Sequence, residues 1–161
     1  MIRPARESDI PAILEIYNEA VRNTTATFDL EERDYADRKA WFDAHTGRHA
    51  LFVYEADGAA VGYGSLSGFS SKAAYDSAVE VSLYVHPDYR RKGVGRALME
   101  ELIRFGRESS EIHTLISCIT AENAASIAMH ERFGFEYCGR IREAGVKFGR
   151  HLDIVYYQMI V

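Results

Sequence analysis

The stretch Arg90-Arg91-Lys92-Gly93-Val94-Gly95-Arg96-Ala97 carries four cations in its first seven residues, in a chain whose 19 Lys and Arg are outnumbered by 24 Asp and Glu. It lies between a strand and an amphipathic helix. Over 79–86, Val79, Val81, Leu83 and Val85 alternate with Glu80, Ser82, Tyr84 and His86, a period of two that puts each set on its own face. Pro87-Asp88 ends that run. Over 94–107, Val94, Leu98, Leu102 and Phe105 form the stripe of a helix. Glycines at such a junction let the backbone approach a ligand closely. The first helical turn aims free N–H groups outward, and its dipole favours negative charge. Flanking guanidinium groups add charge-assisted hydrogen bonds to phosphate oxygens. Two other phosphate patterns do not fit. Gly-x-Gly-x-x-Gly would need a glycine where Leu98 stands, and no Gly-x-x-x-x-Gly-Lys-Ser/Thr occurs. On the loop alone, a solvated basic turn before an ordinary helix is the competing explanation.

Outward from this unit, residues 2–6 read as a short strand. Ser8 and Asp9 offer N-cap oxygens and Pro11 suits a first turn, so Ile10, Ile13, Leu14, Tyr17 and Val21 predict a helix over about 9–22. A second helix near 34–46 presents Ala40, Trp41 and Ala44 on one side. Residues 51–54 and 61–66 read as strands joined by a turn at Asp57-Gly58. Thr114 to Thr120 is a strand whose near-continuous apolar run predicts burial on both faces. Asn123 caps a helix to Phe133 that Gly134 stops, and strands over about 135–141 and 152–160 close the chain. The order βααβββαβαββ opens as an antiparallel meander, while the β–α–β unit around 79–120 requires a parallel pair. The expectation is an α/β domain with a mixed central sheet and helices on both faces.

A length of 161 residues, three scattered prolines and no repeat or linker predict one domain over 1–161. With 47% hydrophobic and 27% charged residues, the composition is that of an ordinary globular protein and excludes disorder. No apolar run approaches a membrane span. A net charge of −5 argues against a nonspecific nucleic-acid or anionic-membrane binder. The start Met1-Ile2-Arg3-Pro4-Ala5-Arg6-Glu7 lacks the apolar core of a secretion signal. Cys118 and Cys138 each sit in an apolar run and are expected to be buried thiols of a cytoplasmic protein. The six histidines show no metal-ligand spacing, so no metal is expected.

Arg-x-x-Gly-x-Gly after this strand and its His-Pro-Asp-Tyr turn resembles the acyl-CoA pyrophosphate loop of GNAT-superfamily N-acetyltransferases. Asn123-Ala124-Ala125-Ser126-Ile127-Ala128-Met129-His130-Glu131-Arg132-Phe133-Gly134-Phe135 is similar to that superfamily's fourth helix and its exit. Three further segments are similar to the phosphinothricin and methionine sulfoximine N-acetyltransferase subgroup: Lys72-Ala73-Ala74-Tyr75-Asp76, Glu80 to Val85, and Gly145 to Asp153. So is Asn23-Thr24-Thr25-Ala26-Thr27-Phe28, and the resemblance covers nearly the whole chain.

The resemblance implies that the strands of Glu80 and Thr114 splay apart at one end. The pantetheine arm of acetyl-CoA would then pair with backbone groups of Leu83, Tyr84 and Val85, as in strand addition to an open edge. Its phosphates would lie on the N–H groups of Arg91, Lys92, Gly93, Val94, Gly95 and Arg96, and an N–H near Leu83 would stabilise the developing oxyanion. Glu80 is the candidate general base for a substrate ammonium; as pattern alone it is the outward half of a strand. Asn123, Ser126, His130 and Phe133 share one helix face. Asn123 and Ser126 would face the cofactor, although an N-cap role alone could explain Asn123. His130 would approach the sulfur as an acid for the leaving thiolate, or else be a satisfied histidine on an apolar helix. Cys118 raises a ping-pong route, but its strand context favours plain core. Lys72, Ala73, Ala74 and Tyr75 are expected in the substrate wall together with the 24–28 loop, and Lys72, Lys147 or Arg150 could meet an acidic amino acid. Relatives complete this pocket across a two-fold interface, so a homodimer is expected. The implied activity is acetylation of the α-amine of a small amino-acid-like substrate in a ternary complex. The alternatives are another acceptor (a peptide N-terminus, a polyamine, an aminoglycoside) or a noncatalytic acyl-CoA-binding module.

Overall fold

Asp57 and Gly58 both adopt positive φ, the backbone that a tight hairpin turn requires, and they join β2 (Leu51–Ala56) to β3 (Ala59–Gly68). The computed structural model describes all 161 residues. Around this hairpin the chain forms β1 (Ile2–Pro4), α1 (Ile10–Asn23), α2 (Tyr35–Asp43), β4 (Ala78–Val85) and α3 (Val94–Glu108). It continues through β5 (Thr114–Thr120), α4 (Ala124–Arg132), β6 (Glu136–Lys147) and β7 (Arg150–Ile160). The element order is the expected one. A seven-stranded sheet runs β1-β2-β3-β4-β5-β7-β6, and only β4 and β5 are parallel neighbours.

Helices cover both faces, as the mixed-sheet expectation required. On one face α3 lays Val94, Leu98 and Leu102 on β3, where two glycines allow close approach. A Cβ at Gly62 would come 2.8 Å from Val94 Cγ1, and one at Gly64 would come 2.8 Å from Leu83 Cδ2 and 3.0 Å from Leu102 Cδ1. The helix α4 joins that face through Ile127, Met129 and Phe133. On the other face Ile13, Ile16, Tyr17 and Val21 of α1 pack on Leu51, Val53 and Tyr63.

The decisive detail is register. β4 meets β5 at only three pairs, Ala78↔Thr114, Val79↔Leu115 and Glu80↔Ile116. Beyond them β4 stays bonded to β3 as far as Val85, and β5 stays bonded to β7 as far as Thr120↔Ile154. The two strands therefore part immediately after Glu80, each leaving a row of backbone groups free toward the other.

Several expectations are corrected. Asp9 does not cap α1 with its side chain; its carboxylate is taken by the Arg3 guanidinium at 2.8 Å and the Arg6 N–H at 2.7 Å. The second helix ends at Asp43 rather than near 46. β5 is not buried on both faces: Leu115, Ser117 and Ile119 are buried beneath α3 and α4, whereas Thr114, Ile116 and Cys118 face outward and are half-buried or exposed. Cys118 is thus no core residue, and Cys138 on the edge strand β6 is exposed as well. The last two strands are longer than expected, meeting at a turn through Phe148 and Gly149, because β6 absorbs irregularities near Gly139 and Glu143.

Replacing Gly64 by Val forces a branched side chain into the α3 contact. It should lower unfolding free energy by about 1–3 kcal/mol, read as a reduced urea midpoint with an unchanged m-value.

Candidate active site

Beyond Glu80 the parted strands form a narrow gap lined by Leu83, Tyr84, Cys118, Asn123, Ser126 and His130. It shares Leu83, Tyr84 and Asn123 with a cavity of about 630 Å³ bounded by Asn23 to Ala26, Glu122 and Arg150. That cavity shares Val85 and Arg90 with a third, of about 720 Å³, between the start of α3 and the outer face of α4. One continuous groove therefore leads from the basic loop along the free edge of β4 as far as Val81 and Ser82, the residues next to Glu80 on the strand.

Positive φ at Arg91 and Gly93 turns the chain sharply into α3, so the first-turn N–H groups from Val94 onward have no helical acceptor behind them. Val94 itself buries its side chain in the core and can serve a ligand only through its backbone. The cations divide their work. Arg90 is anchored to Glu19 at 2.6 Å and to the Val85 carbonyl, fastening the loop to α1. Arg91 has no ionic partner, Lys92 lies 5.2 Å from the Tyr89 ring centroid, and Arg96 holds Glu100 at 2.9 Å on the exposed face. Arg91, Gly93, Gly95 and Arg96 line the large cavity, and Arg132 of α4 faces them across it. Sequence reasoning missed Arg132. It follows Ala125 and Met129 at helical spacing, on a face of α4 different from that of Asn123, Ser126 and His130.

Glu80 is half-buried, without a hydrogen-bond or ionic partner, and burial raises its carboxyl above the ordinary value. A carboxyl raised in this way holds a proton more readily than an exposed one, a useful property in a base. Asn123 caps α4, its Oδ1 accepting from the Ser126 N–H at 3.2 Å, and the same residue lines the gap. The cap and the wall coexist. His130 is buried between α4 and β5, with Nδ1 2.7 Å from the Ser126 carbonyl and Nε2 2.8 Å from Ser117 Oγ. Nδ1–H donates to the carbonyl, so in the neutral ring Nε2 accepts from the Ser117 hydroxyl, and burial lowers the ring's pKa, which favours that form. It is a satisfied histidine that fixes Ser117 at the gap wall, not a free acid. Cys118 stands at the mouth of the gap, where partial desolvation raises its thiol, against a thiolate nucleophile.

Lys72, Ala73, Ala74 and Tyr75 form an exposed 3₁₀ turn outside these cavities, with Tyr75 against the Phe69 ring. The single chain does not bring them to the groove. Lys147 is buried and donates to the Thr27 carbonyl at 2.9 Å, bracing β6 against the loop after α1. Arg150 does reach the groove, but paired with Glu122 at 2.9 and 3.0 Å. That guanidinium, with Thr25 Oγ1, holds Glu122 down to about 2.

Residues 2–156 match the acetyltransferase (GNAT) domain family. The chain is 41% identical to an L-methionine sulfoximine/L-methionine sulfone acetyltransferase of Pseudomonas aeruginosa, over 98% of this chain and 92% of the relative. It superposes on a phosphinothricin acetyltransferase of Sinorhizobium meliloti in complex with acetyl-CoA with a TM-score of 0.94 at 34% identity, covering 100% and 88% of the two chains. A ribosomal-protein-alanine N-acetyltransferase of Brucella melitensis gives 0.96 at 41% identity, covering 100% and 99%. With a basic turn leading onto an open strand edge and a half-buried carboxylate at its end, the chain belongs to the GNAT family and is an N-acetyltransferase.

Proposed function

We propose that the protein transfers acetyl from acetyl-CoA to the α-amine of a small amino-acid-like acceptor of the phosphinothricin or methionine sulfoximine type, by direct attack with both substrates bound. The observation that carries this reading is the parting of β4 and β5 immediately after Glu80. The groove suits acetyl-CoA: N–H groups and cations lie where a diphosphate needs them, and free strand groups where an amide-bearing arm needs partners. Acetyl-CoA, when bound, supplies a thioester carbonyl as the electrophile. Arg91, Lys92, Arg96 and Arg132 with the α3 amides hold the diphosphate, and the backbone of Leu83 to Val85 orients the arm. Glu80 takes the proton of the acceptor ammonium, directly or through a water, so that a neutral amine is presented at the gap. His130 positions Ser117. A leaving thiol with an ordinary pKa near 8.5 does not depend on a strong acid.

The likeness to a ribosomal-protein-alanine acetyltransferase supports a peptide N-terminus as the second acceptor class. Thiol release from acetyl-CoA with amino acids and short alanyl peptides separates the two, and faster release with amino acids is expected. The acceptor wall lacks the 72–75 turn within one chain, and Ile141, Val146 and Phe148 leave apolar surface exposed on and after the edge strand β6. We infer that a second copy completes the pocket there. Light scattering should then give twice the chain mass, reduced by Ile141→Asp.

Glu80→Gln should lower kcat by about 10²–10⁴ at pH 7 with the acetyl-CoA KM unchanged, and lose less at high pH where the amine is already neutral. Because burial raises Glu80, the wild-type rate should begin to fall, as pH drops, at a higher pH than an exposed carboxylate would give; titrated kcat/KM checks the sign. Gly93→Val strains a position with φ of 82° and crowds the phosphate turn, and should raise the acetyl-CoA KM with little change at the acceptor.

A further inference from the structure

Ser67 of β3 is the cross-strand partner of Glu80 on β4, so hydroxyl and carboxylate stand on one face of the sheet with their Cβ atoms about 5 Å apart. That is close enough for a serine to donate to the carboxylate beside it. Ser67 does not do so. Its Oγ lies 3.0 Å from Nε2 of His45, two residues past the end of α2, and Glu80 keeps no hydrogen-bond partner of its own.

The ring decides this. His45 Nδ1 is 2.7 Å from the Trp41 carbonyl, and a carbonyl oxygen only accepts, so Nδ1 carries the hydrogen. In the neutral ring Nε2 then offers a lone pair, and the Ser67 hydroxyl is the donor that meets it. Burial lowers the pKa of the ring, and the charges of His49 and Arg38 add to that against the Trp41 carbonyl, so the neutral form holds at pH 7. Trp41 also fixes the ring in place, with centroids 4.3 Å apart. A hydroxyl has one hydrogen, and with it committed Ser67 turns only lone pairs toward Glu80. The other groups on that face bring no charge to the carboxylate. Cys118 of β5 and Tyr156 of β7 pair with each other there. Burial raises the Cys118 thiol, and Cys118 in turn raises Tyr156, so both are neutral at pH 7.

We propose that His45 sets the strength of Glu80 as a base through Ser67, by claiming the hydroxyl hydrogen that would otherwise be donated to the carboxylate. The inference deepens the proposed function and rests on its assignment of Glu80 as the base. A donor to an ionised carboxylate stabilises that form and weakens the base, whereas an acceptor beside it favours the protonated form. With His45 in place the ionised Glu80 is denied a donor. Once Glu80 has taken the acceptor's proton, its O–H has the Ser67 oxygen as a partner. His45 and Ser67 are thus positioning residues, which act on the reaction only through Glu80.

His45→Asn keeps an N–H for the Trp41 carbonyl but places nothing where Nε2 stood, and so releases the Ser67 hydroxyl toward Glu80. A donor to the ionised form lowers the carboxyl, so the acid limb of kcat/KM with L-methionine sulfone as acceptor should move to lower pH by about one unit. The weaker base should lower the plateau about threefold, with the acetyl-CoA KM unchanged. His45→Phe keeps a ring against Trp41; it should give the same shift and keeps the test open should His45→Asn fail to fold. Adding Ser67→Ala to either variant should return the limb to within about 0.3 unit of the wild-type position, since no hydroxyl is left to donate. Deleting a hydroxyl would not undo a merely structural role of His45. An unmoved limb in the His45 variants, or a shift that persists without the hydroxyl, would overturn the proposal. Carbon-13 titration of the Glu80 carboxyl in the same proteins separates this outcome from a failure of the base itself. A limb and rate left intact by Glu80→Gln would refute Glu80 as the base, while a Ser67-dependent shift of its carboxyl titration would keep the hydrogen-bond control. A limb lost in Glu80→Gln but unmoved by His45 would do the reverse.

Discussion

Three residue pairs tie β4 to β5, and the rest of the molecule follows from there being only three. A parallel pair joined by a helix ordinarily continues until one strand ends. Here each strand is held by its outer neighbour, β4 by β3 and β5 by β7, along directions that diverge after Glu80. Backbone groups with no strand partner carry a free-energy cost unless something else pairs with them. The wall on the far side of the gap is itself polar, with Ser117 held by His130 and Asn123 capping α4. A ligand with its own amides meets an edge already shaped for it.

Charge is arranged to the same end. The chain is acidic overall, and most of its arginines are spent on surface carboxylates, where such pairs contribute little. At the α3 turn the pattern changes. Arg90 fixes the loop to α1, Arg91 and Arg132 remain without ionic partners around one cavity, and Lys92 lies over the ring of Tyr89 beside it. On the opposite face Arg38 is the buried exception, clasped by the Tyr17 and Trp41 rings without a direct ion pair.

Much of this was legible in the amino-acid sequence. The alternation over 79–86, the glycine-rich basic turn and the α3 stripe are short-range signals, and each keeps its meaning in the fold because local spacing alone decides it. What failed needed a neighbour. Cys118 looked buried because its strand is apolar, but only the Leu115 face has helices over it. Asp9 looked like a cap, and a guanidinium from β1 claimed it instead. Lys147 could have met a substrate, yet the Thr27 carbonyl, far away in sequence, took it. Arg38 gave no signal at all, since its distinction lies in the partner it lacks.

Hydrogen exchange on the protein with and without saturating acetyl-CoA tests the central claim most directly, because it reads the free edge of β4 itself. The account requires amides within 81–85 to slow together with those of 91–96 when acetyl-CoA binds, while β1 and β2 stay unchanged. Protection confined to the basic turn, with the 81–85 amides exchanging as before, would mean that the arm does not lie along this edge and would contradict the account.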